Sequence, residues 1–306
     1  MRIVLCLLCV GLLLSSCNDG DVLEVGLDFD QELAFCDQSS TTYLVFDIKQ
    51  DPDESLSLVF PNNTTNALIF APEETGYEEQ LEINGSSVRF NYRTYNGNPS
   101  NLLCQLVPDP TTTIINDYEA SSGTVYTTTT FQDDDEDGIP TDVEDLNLDG
   151  DNNPDTMPTD SDGDGIPDYK DADDDNDNIL TRFENPNYTA ADGLTNAQNT
   201  DLELPNGDAI PDYLDPDDDG DGIPTRYEDE DLDDNPRNDF DEASETPDTA
   251  RYLDPTATAT FINDTLVANT YRRNYTVRFN ITDIDLQILS TDEIFLGNYK
   301  YSVMIE

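Results

Sequence analysis

The chain has 306 residues and a formal net charge of −55, with 68 Asp and Glu against 13 Lys and Arg and no histidine. Such acidity excludes recognition of nucleic-acid phosphates and simple adsorption to anionic lipid, both of which need Lys and Arg. The missing histidine excludes Ser-His-Asp, Cys-His and histidine-zinc chemistry, and divalent cations are left as the natural partners of so many carboxylates.

Met1-Arg2 precedes an apolar run from Ile3 to Leu14, too short to span a bilayer, so residues 1–16 read as a signal peptide. Leu14-Ser15-Ser16-Cys17 resembles the bacterial lipobox. That resemblance implies Cys17 as a lipidated first residue, a membrane partner through the lipid, and a bacterial outer-membrane location. An ordinary secretory signal is the alternative. The acidic residues just behind Cys17 resemble the surface-export signal of Bacteroidetes lipoproteins, which implies cell-surface exposure. Residues 17–36 follow as a lipid-anchored linker. With Cys6 and Cys9 in the signal and Cys17 lipidated, Cys36 and Cys104 remain as a pair. In an oxidising envelope compartment a disulfide is the simplest assignment, and two buried thiols are the rival.

Residues 37–131 read as a β-sandwich domain. Val88, Phe90 and Tyr92 alternate with Arg89, Asn91 and Arg93, as on a half-buried strand. The runs Tyr43 to Ile48, Ser55 to Phe60 and Thr124 to Phe131 read similarly.

Between Asp133 and Asp254 lie 43 of the 68 acids and 5 of the 13 bases. Charge alone would argue a solvated, disordered run, but the acids keep a phase. Asp133, Asp135, Asp137 and Glu144 stand at positions 1, 3, 5 and 12 of a loop with Gly138 at position 6. Asp160, Asp162, Asp164, Asp168 and Asp171 repeat it with Gly165, as do Asp217, Asp219, Asp221 and Glu228 with Gly222. Asp173, Asp175, Asp177 and Glu184 carry Asn178 in place of glycine, and Asp149, Asp151 and Asn153 open a loop that Asp160 closes. In NGDAIPDYLD the fitting residues are Asn206, Asp208, Asp212 and Asp215, with Leu204 at the first position; a weaker loop takes Asp231, Asp233, Asn235 and Glu242.

Carboxylates at 1, 3 and 5 of a curled loop converge on one hard cation while the residues between them are expected to face water. The glycine permits the turn, and the position-7 carbonyl adds an oxygen. The spacing therefore predicts several calcium ions, with binding coupled to folding. Loops that abut leave no room for the flanking helices of an EF-hand. Units of 40 and 44 residues, counted from Asp133 to Asp173 to Asp217, mark a tandem array. The insertion from Asn185 to Glu203 lacks the motif and is expected to loop out.

The phrases DSDGDGIPDYKDADDDNDN and NGDAIPDYLDPDDDGDGIPT resemble thrombospondin type 3 calcium-binding repeats of bacterial envelope proteins. The resemblance covers residues 132–255 and implies an array with little regular secondary structure in which the acids named above are the ligands.

In residues 256–306, Tyr275, Val277, Phe279 and Ile281 alternate with polar residues. A piece this short is small for its own core, so these strands are expected to complete the sandwich; a separate small domain is the alternative. Acid pairs serve glycosidases only in a shaped cleft with one raised carboxyl, and no phosphate-cradling glycine loop precedes a helix. The whole reads as a mainly β, non-enzymatic, calcium-stiffened adhesion or structural spacer. The alternative is a surface module whose β-domain recognises a glycan or protein partner.

Overall fold

The computed structural model describes residues 27–36, 41–145, 156–205, 207–244, 246–288 and 292–305. The chain divides into two compact units: one takes residues up to Ala67 with Glu78–Thr127 and Arg278–Tyr299, the other Leu68–Tyr77, Thr128–Val277 and Lys300–Glu306. The fold is mainly β, with two antiparallel sheets and few helices. The signal segment and Cys17 lie outside the described residues, and among the described residues no helix is long and apolar enough to cross a membrane.

One sheet has five strands in the order β1 (Ala34–Cys36), β2 (Thr42–Lys49), β3 (Glu54–Pro61), β5 (Arg89–Tyr95) and β6 (Ile114–Glu119). The other has four, β4 (Tyr77–Ile83), β7 (Gly123–Thr130), β8 (Tyr271–Thr282) and β9 (Glu293–Ile305). The C-terminal β8 and β9 thus share a sheet with β4 and β7.

Within the first unit, Val45, Leu56, Leu58, Phe60 and Phe90 of one sheet and Phe279, Ile281 and Leu296 of the other are all buried. The Phe60 and Phe279 rings lie 6.4 Å apart and Phe35 and Tyr299 5.3 Å apart, so apolar residues from both sheets meet in one core. Burial alternates along β8, following the apolar–polar alternation from Tyr275 to Ile281, while Arg273 takes a buried position in its first half. In β5 it does not: Asn91 is buried between Phe90 and Tyr92 because its amide nitrogen donates to Asp117 at 2.8 Å.

Cys36 and Cys104 are joined by a disulfide, seated against Phe46 and Leu103. The bond closes a loop spanning 68 residues. Replacing both cysteines with alanine should lower the stability of this unit by about 4 kcal/mol, because an unfolded chain without the crosslink regains its loop entropy. Urea unfolding followed by tyrosine fluorescence measures it.

Candidate metal centres in the second unit

The acidic segment contains almost no regular structure beyond single turns. The short helix α1 (Thr141–Glu144) and the 3₁₀ turns Asp168–Lys170, Thr181–Phe183 and Thr225–Tyr227 each begin at position 9 of a loop, and the turns Asp212–Leu214 and Arg251–Leu253 occupy the corresponding place in loops with extra residues. What shapes the loops is their own carboxylates. The position-1 acid accepts the position-6 amide, as Asp133 does from Gly138 (3.0 Å), Asp160 from Gly165 (3.2 Å), Asp173 from Asn178 (3.1 Å) and Asp217 from Gly222 (3.0 Å). The position-5 acid accepts the position-7 amide, as in Asp137 with Ile139 (2.7 Å) and Asp177 with Ile179 (2.6 Å). Positions 4 and 6 are left-handed throughout, at Gly163 and Gly165, Asn176 and Asn178, and Gly220 and Gly222. Asparagine tolerates that region best after glycine, so Asn178 keeps the turn.

Asp133, Asp160 and Asp173 spend both oxygens on backbone amides, whereas the acids at positions 3 and 5 spend one and leave the other for something else. Among buried side-chain atoms without a hydrogen-bond partner are Asp135 Oδ2, Asp137 Oδ2, Asp175 Oδ2, Asp177 Oδ2, Asp219 Oδ2 and Asp221 Oδ2. Both carboxylate oxygens of Glu144, Glu184 and Glu228 join them. The acids converge: one oxygen from each of the buried Asp175, Asp177, Glu184 and Asp218 lies within 4.8 Å of the others, as do those of the buried Asp135, Glu144 and Asp174, of Asp133, Asp135 and Asp137, and of the more exposed Asp160, Asp162 and Asp164.

Asp174 and Asp218 correct the sequence reading. They stand at position 2 and were expected in water, yet both are buried and all four of their oxygens are unpartnered. The backbone amides of Asp134, Asp174 and Asp218 donate to the position-9 hydroxyls of Thr141, Thr181 and Thr225 at 3.1, 3.2 and 3.3 Å. That bond turns the side chain out of its own loop and toward an earlier one. Asp174 thereby completes the cluster of the Asp133 loop, and Asp218 that of the Asp173 loop.

Two other frames shift. In the NGDAIPDYLD loop the missing first carboxylate is not lost: Asp201, buried, groups with Asp208 and Asp215. The amide of Asp212 donates to Gln198 O at 2.9 Å as that of Asp168 does to Thr159 O at 3.0 Å. The loop therefore starts at Asn199, and Asn199-Thr200-Asp201 is the counterpart of Asp160-Ser161-Asp162 with extra residues after it. The insertion is tied off just before, where Asn185 and Gln198 bond at 2.7 Å. The last weak loop starts at Asp229 rather than Asp231, because Asp229 accepts the amides of Asp233 (3.2 Å) and Asp234 (2.9 Å), and Leu232 and Asp234 are the left-handed residues. Asp231 and Asp233 fall at positions 3 and 5, Asn235 becomes position 7, and Glu242 is exposed outside the loop.

Asp168 and Asp212 do a different job from the one expected. Asp168 accepts the amide and hydroxyl of Ser161, both at 2.8 Å, and Asp212 those of Thr200 at 2.6 and 2.8 Å. These acids lock the loop entrance. Asp149, Asp151, Asn153 and Asn206 lie outside the described residues.

With no counter-ion, burial pushes these carboxyls upward. Desolvation first, then Asp135, Asp137 and Asp174, raise Glu144; desolvation, then Asp177, Asp175 and Asp218, raise Glu184. Desolvation carries Asp137, Asp173 and Asp219 to about 7 and Glu228 to about 10, the latter opposed by Arg251. A carboxyl whose folded pKa exceeds its unfolded one favours folding while protonated and loses that contribution as pH rises through the folded value. In chelator the array should accordingly be most compact below about pH 4, the unfolded carboxyl range, and open progressively as pH rises to about 7, opposite to ordinary acid denaturation. Hydrodynamic radius against pH in EDTA checks it.

The model of the BamM C-terminal family matches residues 134–207, which include Asp135, Glu144, Asp174 and the loops around Asp160 and Asp173. No curated protein and no solved structure matches the chain.

Proposed function

We propose that residues 133–254 bind several calcium ions and fold around them, making the acidic segment a calcium-stiffened spacer of a lipid-anchored cell-envelope protein. The carrying observation is the set of buried, unpartnered carboxylate oxygens that converge in threes and fours. Ionised groups so placed cost several kcal/mol each without a counter-charge, and an all-oxygen donor set with a two-oxygen glutamate at position 12 suits calcium. Asp175, Asp177, Glu184 and Asp218 would hold one ion; Asp135, Asp137, Glu144 and Asp174 another. The thrombospondin type 3 resemblance supports this reading. The BamM C-terminal match supports an outer-membrane setting, and the meeting of both sheets' apolar residues supports a β-sandwich for the first unit. The protein works by presentation and stiffness, with no chemistry of its own.

A second reading, a surface binding module, draws on a cavity of about 660 Å³ in the second unit. Phe131, Tyr169 and Tyr188 offer it aromatic surface and Glu73, Glu74 and Lys170 polar groups, a mixture that suits a glycan or a peptide.

Calorimetric titration with calcium tests the first reading. It should show at least as many ions as there are described loops with clustered acids, with dissociation constants of roughly 10⁻⁴ to 10⁻³ M, the range of extracellular modules. Absence of heat at millimolar calcium would refute it.

A further inference from the structure

The loops offer an internal comparison that singles out two arginines. Asp134, Asp174 and Asp218 occupy the same position, with the same amide-to-threonine bond. Asp174 and Asp218 present unpartnered oxygens to an earlier loop's cluster. Asp134 belongs to the first described loop of this threonine type, and a guanidinium faces it. Arg273 Nη2 lies 3.6 Å from Asp134 Oδ2, Arg273 Nε donates to the Asp134 carbonyl at 2.7 Å, and both side chains are buried. Phe131 stacks under the guanidinium at 4.6 Å.

A further loop beyond the Asp229 one, running from Phe240 to Asp254, also turns a guanidinium to its position-2 acid. Arg251 stands where Asp168 and Asp212 stand, since its amide donates to Asp239 O at 2.9 Å and Tyr252 follows it as Tyr169 and Tyr213 follow them. In the two earlier loops an aspartate at this place grips a Ser or Thr at position 2. Here position 2 is Asp241, and Arg251 Nη1 lies 3.6 Å from its Oδ2 while Nη2 donates to Glu230 at 2.7 Å. Asp254, the counterpart of Asp171 and Asp215, accepts from the hydroxyls of Thr246 and Thr256, both at 2.7 Å. Donors of the chain itself supply what the interior loops lack.

We propose that Arg273 and Arg251 are resident cations that cap the series of loops at its two ends, each buried guanidinium supplying to a position-2 acid, Asp134 or Asp241, the positive charge that a bound divalent ion supplies to Asp174 and Asp218, while the Asp133 loop keeps an ion of its own. The idea rests on the calcium reading for the interior loops, but the arginine contacts are independent of any ion. Their planar forks, with donors aimed at separate acceptors, suit them to the place better than lysine. The consequence is a bounded array in which residues 239–257 and the Asp134–Arg273 contact hold their form when calcium is withdrawn.

The test is hydrogen exchange by mass spectrometry on the full chain, in saturating calcium and in EDTA, reading peptides over 239–257 and 271–275. Variants are Arg251→Met, Arg251→Lys, Arg273→Lys and, as an interior control, Glu184→Gln. Arg251→Met should speed exchange over 239–257 about tenfold or more, as expected when a buried guanidinium that ties together Glu230 and Asp241 is lost, and by the same factor with and without calcium. Arg251→Lys and Arg273→Lys, which retain charge and guard against outright misfolding, should each give a smaller loss at their own peptide, again equal in both conditions. Calorimetric calcium stoichiometry should be unchanged in all three. The proposal is overturned if the arginine effects vanish in EDTA, if no effect is seen, or if losing Arg251 alters the number of calcium ions bound. Glu184→Gln should act over 173–184 in calcium alone. If it and the wild-type chain are indifferent to calcium, the calcium reading fails while the arginine comparison keeps its own answer.

Discussion

Asp218→Asn should weaken calcium binding at the Asp173 loop by at least about 10- to 100-fold, the cost that even outer-shell partners carry at metal sites. Asparagine keeps the shape and the amide bond to Thr225 Oγ1 but removes one of four converging carboxylates. The same substitution should stabilise the chelated protein, because it deletes a buried charge that Asp177 and Asp175 already repel. A sign that reverses between calcium and EDTA separates a metal ligand from a merely buried acid. Asp221→Asn supplies the contrast, since its effect should fall on the Asp217 loop. Thermal unfolding in the two conditions, with calcium titration of both variants, reads the outcome.

Chelation of the wild-type chain at pH 7.5 should open the acidic segment while leaving the disulfide-bonded sheets intact. The argument is one of magnitudes. Unpartnered carboxylate oxygens are buried in the loops beginning at Asp133, Asp173 and Asp217, and each ionised group left uncompensated costs several kcal/mol. A few such groups exceed the 5–15 kcal/mol, roughly, that a domain has in total. Apolar burial in the acidic segment, at Ile139, Ile179, Tyr213 and Tyr252, is too sparse to offset that. Val45, Leu58, Phe60, Phe90 and Phe279 need no ion. Small-angle scattering should therefore show expansion, and protease cuts should fall within 135–238 and spare the Cys36–Cys104 region.

The loop phase was legible because alternate-residue convergence is a local property: the acids at positions 1, 3 and 5 of the loops starting at Asp133, Asp160 and Asp173 can be read from a dozen letters. Asp174 and Asp218 were not, since their partners lie a whole repeat earlier and only the hydroxyls of Thr181 and Thr225 turn them that way. Asp201 was masked by the residues that separate it from Asp208; the echo of Asp160-Ser161-Asp162 in Asn199-Thr200-Asp201 was the available clue. Around Asp229 the run DEDLDD offers two phases, and the choice falls to where Leu232 and Asp234 turn left-handed. Among strands, β8 announced itself by alternation over its length. The acidic YEEQLEI of β4 and the largely exposed β6 did not, because their place is set by neighbours in the sheet rather than by their own pattern.

Hydrogen exchange over residues 173–184 and 217–228, compared in saturating calcium and in EDTA at neutral pH, bears most directly on whether these loops are folded by a cation. Strong protection in calcium that collapses in EDTA and returns on recalcification is the predicted result. Equal protection in both would contradict it.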